Sequence, residues 1–242
     1  MVVPMSLAFR GTFSMRVMIF ASQKGGSGKT TLAGHVAVQA ERAGAGPVAL
    51  VDTDPQGSLS DWSNLRQAER PVCVGTNFPR LLTDLQKLHG DGVRLVIVDP
   101  SAAIAMAIRD VAVFADLVVI PVRPSPHDLR SLATTVALVE DAGKPLVFVI
   151  NAAVAGARIT SEAAIALARH GSVAPVTVHN RVNFAESMID GRTVMETDEH
   201  SRSAKEIAGL WHYLEGRLEQ GGSQWTSGFF SQVTRLIVGT AA

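Results

Sequence analysis

The stretch Gln23-Lys24-Gly25-Gly26-Ser27-Gly28-Lys29-Thr30-Thr31 follows directly on the apolar run Val17-Met18-Ile19-Phe20-Ala21, and it constrains the fold more than any other part of the chain. An apolar strand feeding a glycine-rich turn, with a helix opening at Gly-Lys-Thr, is the architecture of a phosphate-cradling loop. Glycines let consecutive backbone N–H groups turn inward around phosphate oxygens, a path that side chains would obstruct. Lys29 brings positive charge to the β- and γ-phosphates, and the Thr30 hydroxyl can ligate Mg²⁺. The helix that follows adds the partial positive charge of its N-terminus. The candidate nucleotide site is therefore Lys24, Gly25, Gly26, Ser27, Gly28, Lys29, Thr30 and Thr31.

The usual loop carries glycine where this chain has Gln23, and Lys24 follows, so two lysines bracket the glycines. The string Lys-Gly-Gly-x-Gly-Lys-Thr-Thr resembles the deviant Walker A loop of the ParA/MinD family of dimerising ATPases. The resemblance implies ATP and Mg²⁺ as ligands, slow ATP hydrolysis and a homodimer in the ATP state. It also implies that Lys24 reaches the nucleotide held by the partner subunit.

Composition agrees with that reading. At 242 residues the chain is long enough for one large α/β domain. Its 22 basic and 22 acidic residues cancel, so no polyelectrolyte partner follows from the global balance. No apolar run approaches the ~18 residues of a membrane span. A single cysteine, Cys73, excludes an intrachain disulfide and suits a reducing cytosol; in Pro71-Val72-Cys73-Val74 it reads as a buried strand residue. Residues 1–14 lack the pattern of a signal peptide and read as an extension before Met15, a candidate natural start.

Apolar runs alternate with helical patterns. Strands are expected at 16–21, 47–52, 71–74, 93–99, 116–121, 145–151 and 174–178. Helices are expected at 29–43, 57–69, 79–89, 102–114, 127–141 and 160–170, with two more at 181–190 and 201–218. Short, continuous runs rich in Val, Ile and Leu are those of strands buried on both faces. The fold class is thus α/β: a single doubly wound P-loop NTPase domain over 15–218, its mostly parallel sheet of about seven or eight strands covered by helices on both faces. A tail over 219–242 is expected to pack back on the domain or remain partly disordered.

Ligands of open parallel sheets bind beyond the carboxyl ends of the strands, so the polar residues there matter most. Asp52-Thr53-Asp54-Pro55-Gln56 ends the second strand with two carboxylates one residue apart, suited to hold water or to contact Mg²⁺. The string resembles the family's Asp-x-Asp-Pro-Gln segment, which implies that Asp54 is needed for hydrolysis. Asp99 ends the run Leu95-Val96-Ile97-Val98 and can bind Mg²⁺, resembling a Walker B aspartate. Proline at position 100 departs from the family pattern and restricts Asp99 to extended geometry, so the switch loop beyond it is expected to behave differently. Asp116 through Asp128, with Pro121, Pro124 and Pro126, matches a family passage closely; Ser125 or Asp128 can cap the next helix. His127 reads as a surface histidine, and Trp62 as core. Asn151 ends the sixth strand, and the resemblance makes it the reader of the adenine base.

The likeness spans about residues 15–218 and is nearest to compact plasmid-partition members without an N-terminal DNA-binding domain. It implies an ATPase that binds DNA non-specifically and positions a plasmid, chromosome or protein cargo. A ParB-like or adaptor protein would stimulate hydrolysis, and the location would be cytoplasmic and nucleoid-associated. Arg181, Arg192, Arg202 and Lys205 are the DNA-contact candidates by that resemblance. The alternative is a MinD-like ATPase that docks on a membrane, since Phe229, Phe230, Val233, Leu236 and Ile237 fall at helical spacing in the tail. Only Arg235 among those residues is basic, which argues against an anchor.

Overall fold

Strand β1 (Arg16–Phe20) lies at the middle of the sheet, paired in parallel with β4 (Leu95–Asp99) on one side and β5 (Leu117–Val122) on the other. The full order is β3-β2-β4-β1-β5-β6-β7, with β2 at Val48–Asp52, β3 at Val72–Gly75, β6 at Leu146–Ile150 and β7 at Ser172–Val173. All ladders between these strands are parallel, as the continuous apolar runs require. These features come from a computed structural model that describes residues 14–101, 105–222 and 225.

Alternate strand residues face opposite layers. Met18, Phe20, Val48, Leu50 and Ile97 pack with helix α1 (Lys29–Arg42), α2 (Ser58–Asn64) and α9 (Arg202–Gln220). Val17, Ile19, Val51, Val96 and Val98 pack with α3 (Phe78–Gly90), α4 (Ala105–Ala112), α5 (Pro126–Asp141) and α6 (Arg158–Leu167). Each such fully buried aliphatic side chain contributes roughly 1.5–3 kcal/mol, which is why a sheet covered on both faces needs no alternation of polar residues.

Three expectations need correction. β7 is two residues, not the run 174–178; beyond it the chain keeps only the bonds from Ala174 N–H to Phe148 O and from Val178 N–H to Ile150 O. Cys73 is half-buried because β3 is an edge strand with Val72 and Gly75 exposed; burial still pushes its thiol up to about 11. Helix α2 stops at Asn64 rather than 69, and a short helix α8 (Val194–Thr197) follows α7 (Val182–Met188). Trp62 is core, as expected, and its indole N–H donates to Arg192 O at 3.2 Å. Trp225 is buried, packs on Phe114 and bridges Met15; the rest of the tail call, like that on residues 1–13, lies outside the described residues.

Helix α1 is locked to α7 through His35, which is fully buried. Its Nδ1 stands 2.8 Å from Thr31 O, an acceptor only, so Nδ1 carries the proton and Nε2 faces Ser187 Oγ at 3.5 Å. The ring also meets the edge of Phe184. Burial lowers the imidazole to about 4, outweighing the Thr31 bond and the nearby Glu196 charge, with Arg66 adding to the drop. The unfolded chain therefore takes up a proton below about pH 6.5 that the folded chain refuses. Stability attributable to His35 is complete above that pH and falls by about 3 kcal/mol as pH drops toward 4. Asp99, pushed up to about 7, works in the opposite sense over the same window. A His35→Gln comparison removes that confusion, because Asp99 is common to both chains. Urea unfolding followed from about pH 7.5 to 4.5 should show the wild type losing ground to the variant; parallel pH profiles would overturn the assignment.

Candidate active site

The loop between β1 and α1 sits at the carboxyl edge of the central strand, with acid-bearing β2 and β4 on one side and β5 and β6 on the other. Asp52 and Asp99 are register partners, so the two strands present their terminal carboxylates side by side. Gly28 precedes α1 with φ of 93°. A Cβ there would stand 2.1 Å from Asn151 Nδ2, so only glycine allows the strand-end amide to close on the loop. That amide donates to Ser27 O at 2.8 Å.

Thr30 opens α1 and donates its hydroxyl to Asp99 Oδ2 at 2.5 Å. The second oxygen, Asp99 Oδ1, is buried without a hydrogen-bond partner among the described residues. Burial pushes the Asp99 carboxyl up to about 7, against the Thr30 bond and the Lys29 charge. An orphaned buried carboxylate oxygen beside a helix-opening hydroxyl fits a hard divalent cation such as Mg²⁺, which would supply the missing charge. Lys29 is buried too; desolvation lowers its pKa while Asp99 and Asp54 oppose that drop.

Asp52 does not fit the metal role expected for it. Its Oδ2 accepts from the Ser60 N–H and hydroxyl, both at 2.9 Å, and its Oδ1 accepts from Asp54 N–H at 3.0 Å. Those donors saturate the carboxylate and make it the organiser of the loop that carries Asp54. Asp54 is half-buried, with Oδ1 accepting from Gln56 N–H at 3.0 Å. Residues 102–104, beyond Pro100, lie outside the described residues, and with them most of the switch-loop call.

Lys24 stands at the rim rather than in the cradle: its side chain is 41% exposed and Nζ lies 3.9 Å from Asp128 Oδ2. Asp128 is held by the Ser125 hydroxyl, and the Ser125 Oγ accepts from Asp128 N–H, which caps α5 as expected. His127 is exposed on the first turn of α5.

A cavity of about 250 Å³ opens beside the loop, lined by Gly28, Thr31, Asn151, Phe184 and the Arg123 and Arg181 side chains among others. Its place next to Asn151 suits a nucleoside base. Arg181 is not available to a polyanion: it forms a paired contact with Glu206, at 2.6 and 2.8 Å, and His179 joins the same carboxylate at 2.7 Å. Burial opposes ionisation of Glu206, yet hydrogen bonds from Arg181 and His179 hold it below the usual range. Arg192 pairs with Asp190 at 2.7 Å on the surface. Only Arg202 and Lys205, exposed on the first turn of α9, present charge without a listed carboxylate among the described residues. The four expected DNA contacts thus do not form one patch.

Sequence reasoning missed two features. Arg66, buried against Trp62 at 4.9 Å, pairs with Glu196 at 2.8 Å and fixes α8, a contact between residues 130 apart. Arg123 was legible only as a neighbour of prolines, yet it lies over the glycine loop.

A strand–loop–helix cradle with a buried lysine, a threonine hydroxyl and a strand-end aspartate defines a P-loop nucleotide-binding protein. Residues 18–194 match the family described as the CobQ/CobB/MinD/ParA nucleotide binding domain. The chain belongs to that family and is a ParA/MinD-type ATPase. Among curated relatives, the maintenance of carboxysome distribution protein A of Halothiobacillus neapolitanus is 29% identical over 193 residues, 76% of this chain and 88% of the relative. Protein ParA of Rhizobium radiobacter is 30% identical over 129 residues, 52% of this chain and 57% of the relative. The fold is that of MinD in the Aquifex aeolicus MinC:MinD complex, with a TM-score of 0.68, 16% identity and coverage of 83% and 96% of the two chains. It is equally that of a Borrelia burgdorferi plasmid partition protein bound to AMPPNP, with a TM-score of 0.67, 14% identity and coverage of 84% and 99%. Among the described residues, no helix is long and apolar enough to cross a membrane.

Proposed function

We propose that the chain binds Mg²⁺–ATP, dimerises on it, and in that state binds DNA without sequence preference to position a cargo until a partner protein stimulates hydrolysis. The observation that carries this reading is the pair of lysines: Lys29 buried in the cradle and Lys24 half-exposed at its rim. A lysine that cannot neutralise its own phosphates from inside the loop is suited to neutralise those of a second copy. The carboxysome-distribution relatives and the ParA relative favour cargo positioning, whether that cargo is a protein assembly or a plasmid.

In this reading Lys29 and the loop N–H groups bind the β- and γ-phosphates, and Asn151 meets the base in the adjoining cavity. Thr30 and Asp99 hold the metal, which supplies charge neutralisation to the transferring phosphoryl group. Asp54 accepts a hydrogen bond from the attacking water and orients it in line with the leaving group. Asp52 keeps Asp54 in place through the Asp54 N–H.

DNA binding rests on Arg202 and Lys205, since Arg181 and Arg192 are matched by Glu206 and Asp190. Doubling this small patch in the dimer brings more phosphates into contact at once, so retention of duplex DNA should require ATP, fall steeply with salt and fade in ADP. Charge reversal at both Arg202 and Lys205 should weaken retention at least about tenfold while ATP-dependent dimerisation persists. Filter binding beside light scattering checks both. ATP-dependent co-sedimentation with liposomes, lost on deletion of residues 221–242 and unaccompanied by DNA retention at low salt, would instead establish the membrane-docking alternative.

A further inference from the structure

The guanidinium of Arg123, just beyond β5, lies against the phosphate loop. A Cβ on Gly26, where φ is 73°, would find Arg123 Nη2 at 3.5 Å and its Cζ at 3.9 Å. Glycine at that position is what lets the side chain lie along the loop backbone. The same arginine is exposed and lines the cavity with Gly28, Thr31 and Asn151. Among the described residues it has no carboxylate partner, in contrast to Arg181 two strands' ends away, whose charge Glu206 cancels.

The placement divides the site by charge. Asp54 and Asp99 come from β2 and β4 on one side of β1, where Thr30 and the orphaned Asp99 oxygen suit a cation. Arg123 comes from β5 on the other side, next to the base cavity. A polyphosphate laid over the loop from Asn151 toward Asp99 would pass Arg123 near the nucleoside and reach the metal-binding side last.

We propose that Arg123 is a phosphate-binding residue acting within its own subunit, its forked guanidinium gripping the α- and β-phosphates that ATP and ADP share. This rests on the nucleotide-site reading above. A planar fork with paired donors matches adjacent phosphate oxygens, and a lysine there would supply charge without that geometry. Because Arg123 is exposed and its side chain supports no packing, its removal should leave the fold intact.

The test is direct binding of Mg²⁺–ADP and Mg²⁺–ATP by titration calorimetry to the wild type, Arg123→Ala, Arg123→Lys and Lys29→Ala, with circular dichroism to confirm folding. Arg123→Ala should weaken both nucleotides alike, about tenfold, the cost of one charge-assisted contact. Arg123→Lys should recover only part of that. Affinities for both nucleotides unchanged in Arg123→Ala, with Lys29→Ala defective, would overturn the proposal and leave the nucleotide site standing. A loss confined to ATP and to dimerising concentrations would overturn it in favour of a contact across subunits. Failure of the wild type itself to bind either nucleotide would remove the underlying reading and the proposal together.

Discussion

Replacing Asp54 by alanine is expected to lower ATP turnover by about 10²–10⁴-fold, the usual cost of losing a group that positions and polarises water. Nucleotide binding should survive, because the cradle itself is built by Gly26 to Thr30 and by Asn151 bonded to Ser27 O. The variant should therefore accumulate as an ATP-bound dimer. The reason to choose Asp54 over its neighbour is geometric: the Asp52 carboxylate is filled by Ser60 and by the Asp54 backbone, whereas Asp54 accepts only from Gln56 N–H at its Oδ1. Asp52→Ala should consequently act on the loop, lowering turnover and thermal stability together. Phosphate release measured on both variants, with calorimetric Tm alongside, separates the two roles. Normal turnover in Asp54→Ala would transfer the water-orienting role to another group.

What the sequence made legible, and what it did not, follows from the range of the interactions. The phosphate loop is a local object: a strand, a run of glycines and a helix start, all within residues 16–31, so its chemistry can be read in order along the chain. The same holds for Asp99 and Asn151, each announced by an apolar strand that ends on it. Asp52 was misjudged because two carboxylates at one strand end look alike until Ser60, eight residues on, fills one of them. The cationic candidates failed for the same reason at greater distance, since nothing near Arg181 in sequence tells that Glu206 will reach it from α9. Cys73 looked like core because an edge strand and a central one share an apolar composition; position in the sheet is set by pairing, which composition does not encode. The strand expected at 174–178 was a similar case: the chain there keeps isolated bonds to β6 without a continuous ladder.

Lys24→Ala should leave binding of ATP to the single subunit nearly unchanged and abolish the ATP-dependent dimer. In the isolated chain Lys24 is tied to nothing strong: Nζ is 3.9 Å from Asp128 Oδ2, the side chain is 41% exposed, and an ion pair so placed is worth little in water. Its departure for another partner therefore costs the monomer almost nothing. Lys29, buried beside Thr30, already supplies the charge that holds the phosphates within the subunit. Across a closed dimer the balance reverses, because a lysine enclosed against a partner's γ-phosphate is desolvated and fully paired. Truncating one member of such a pair costs about 2–5 kcal/mol, on the order of 10²–10³-fold in the dimer constant. Light scattering with ATP and a slowly hydrolysed analogue reads the dimer, and titration calorimetry at low protein concentration reads the monomer. A Lys24→Ala chain that dimerises like the wild type would place the dimer contact elsewhere. One that fails to bind ATP even as a monomer would make Lys24 part of its own cradle, against its position at the rim.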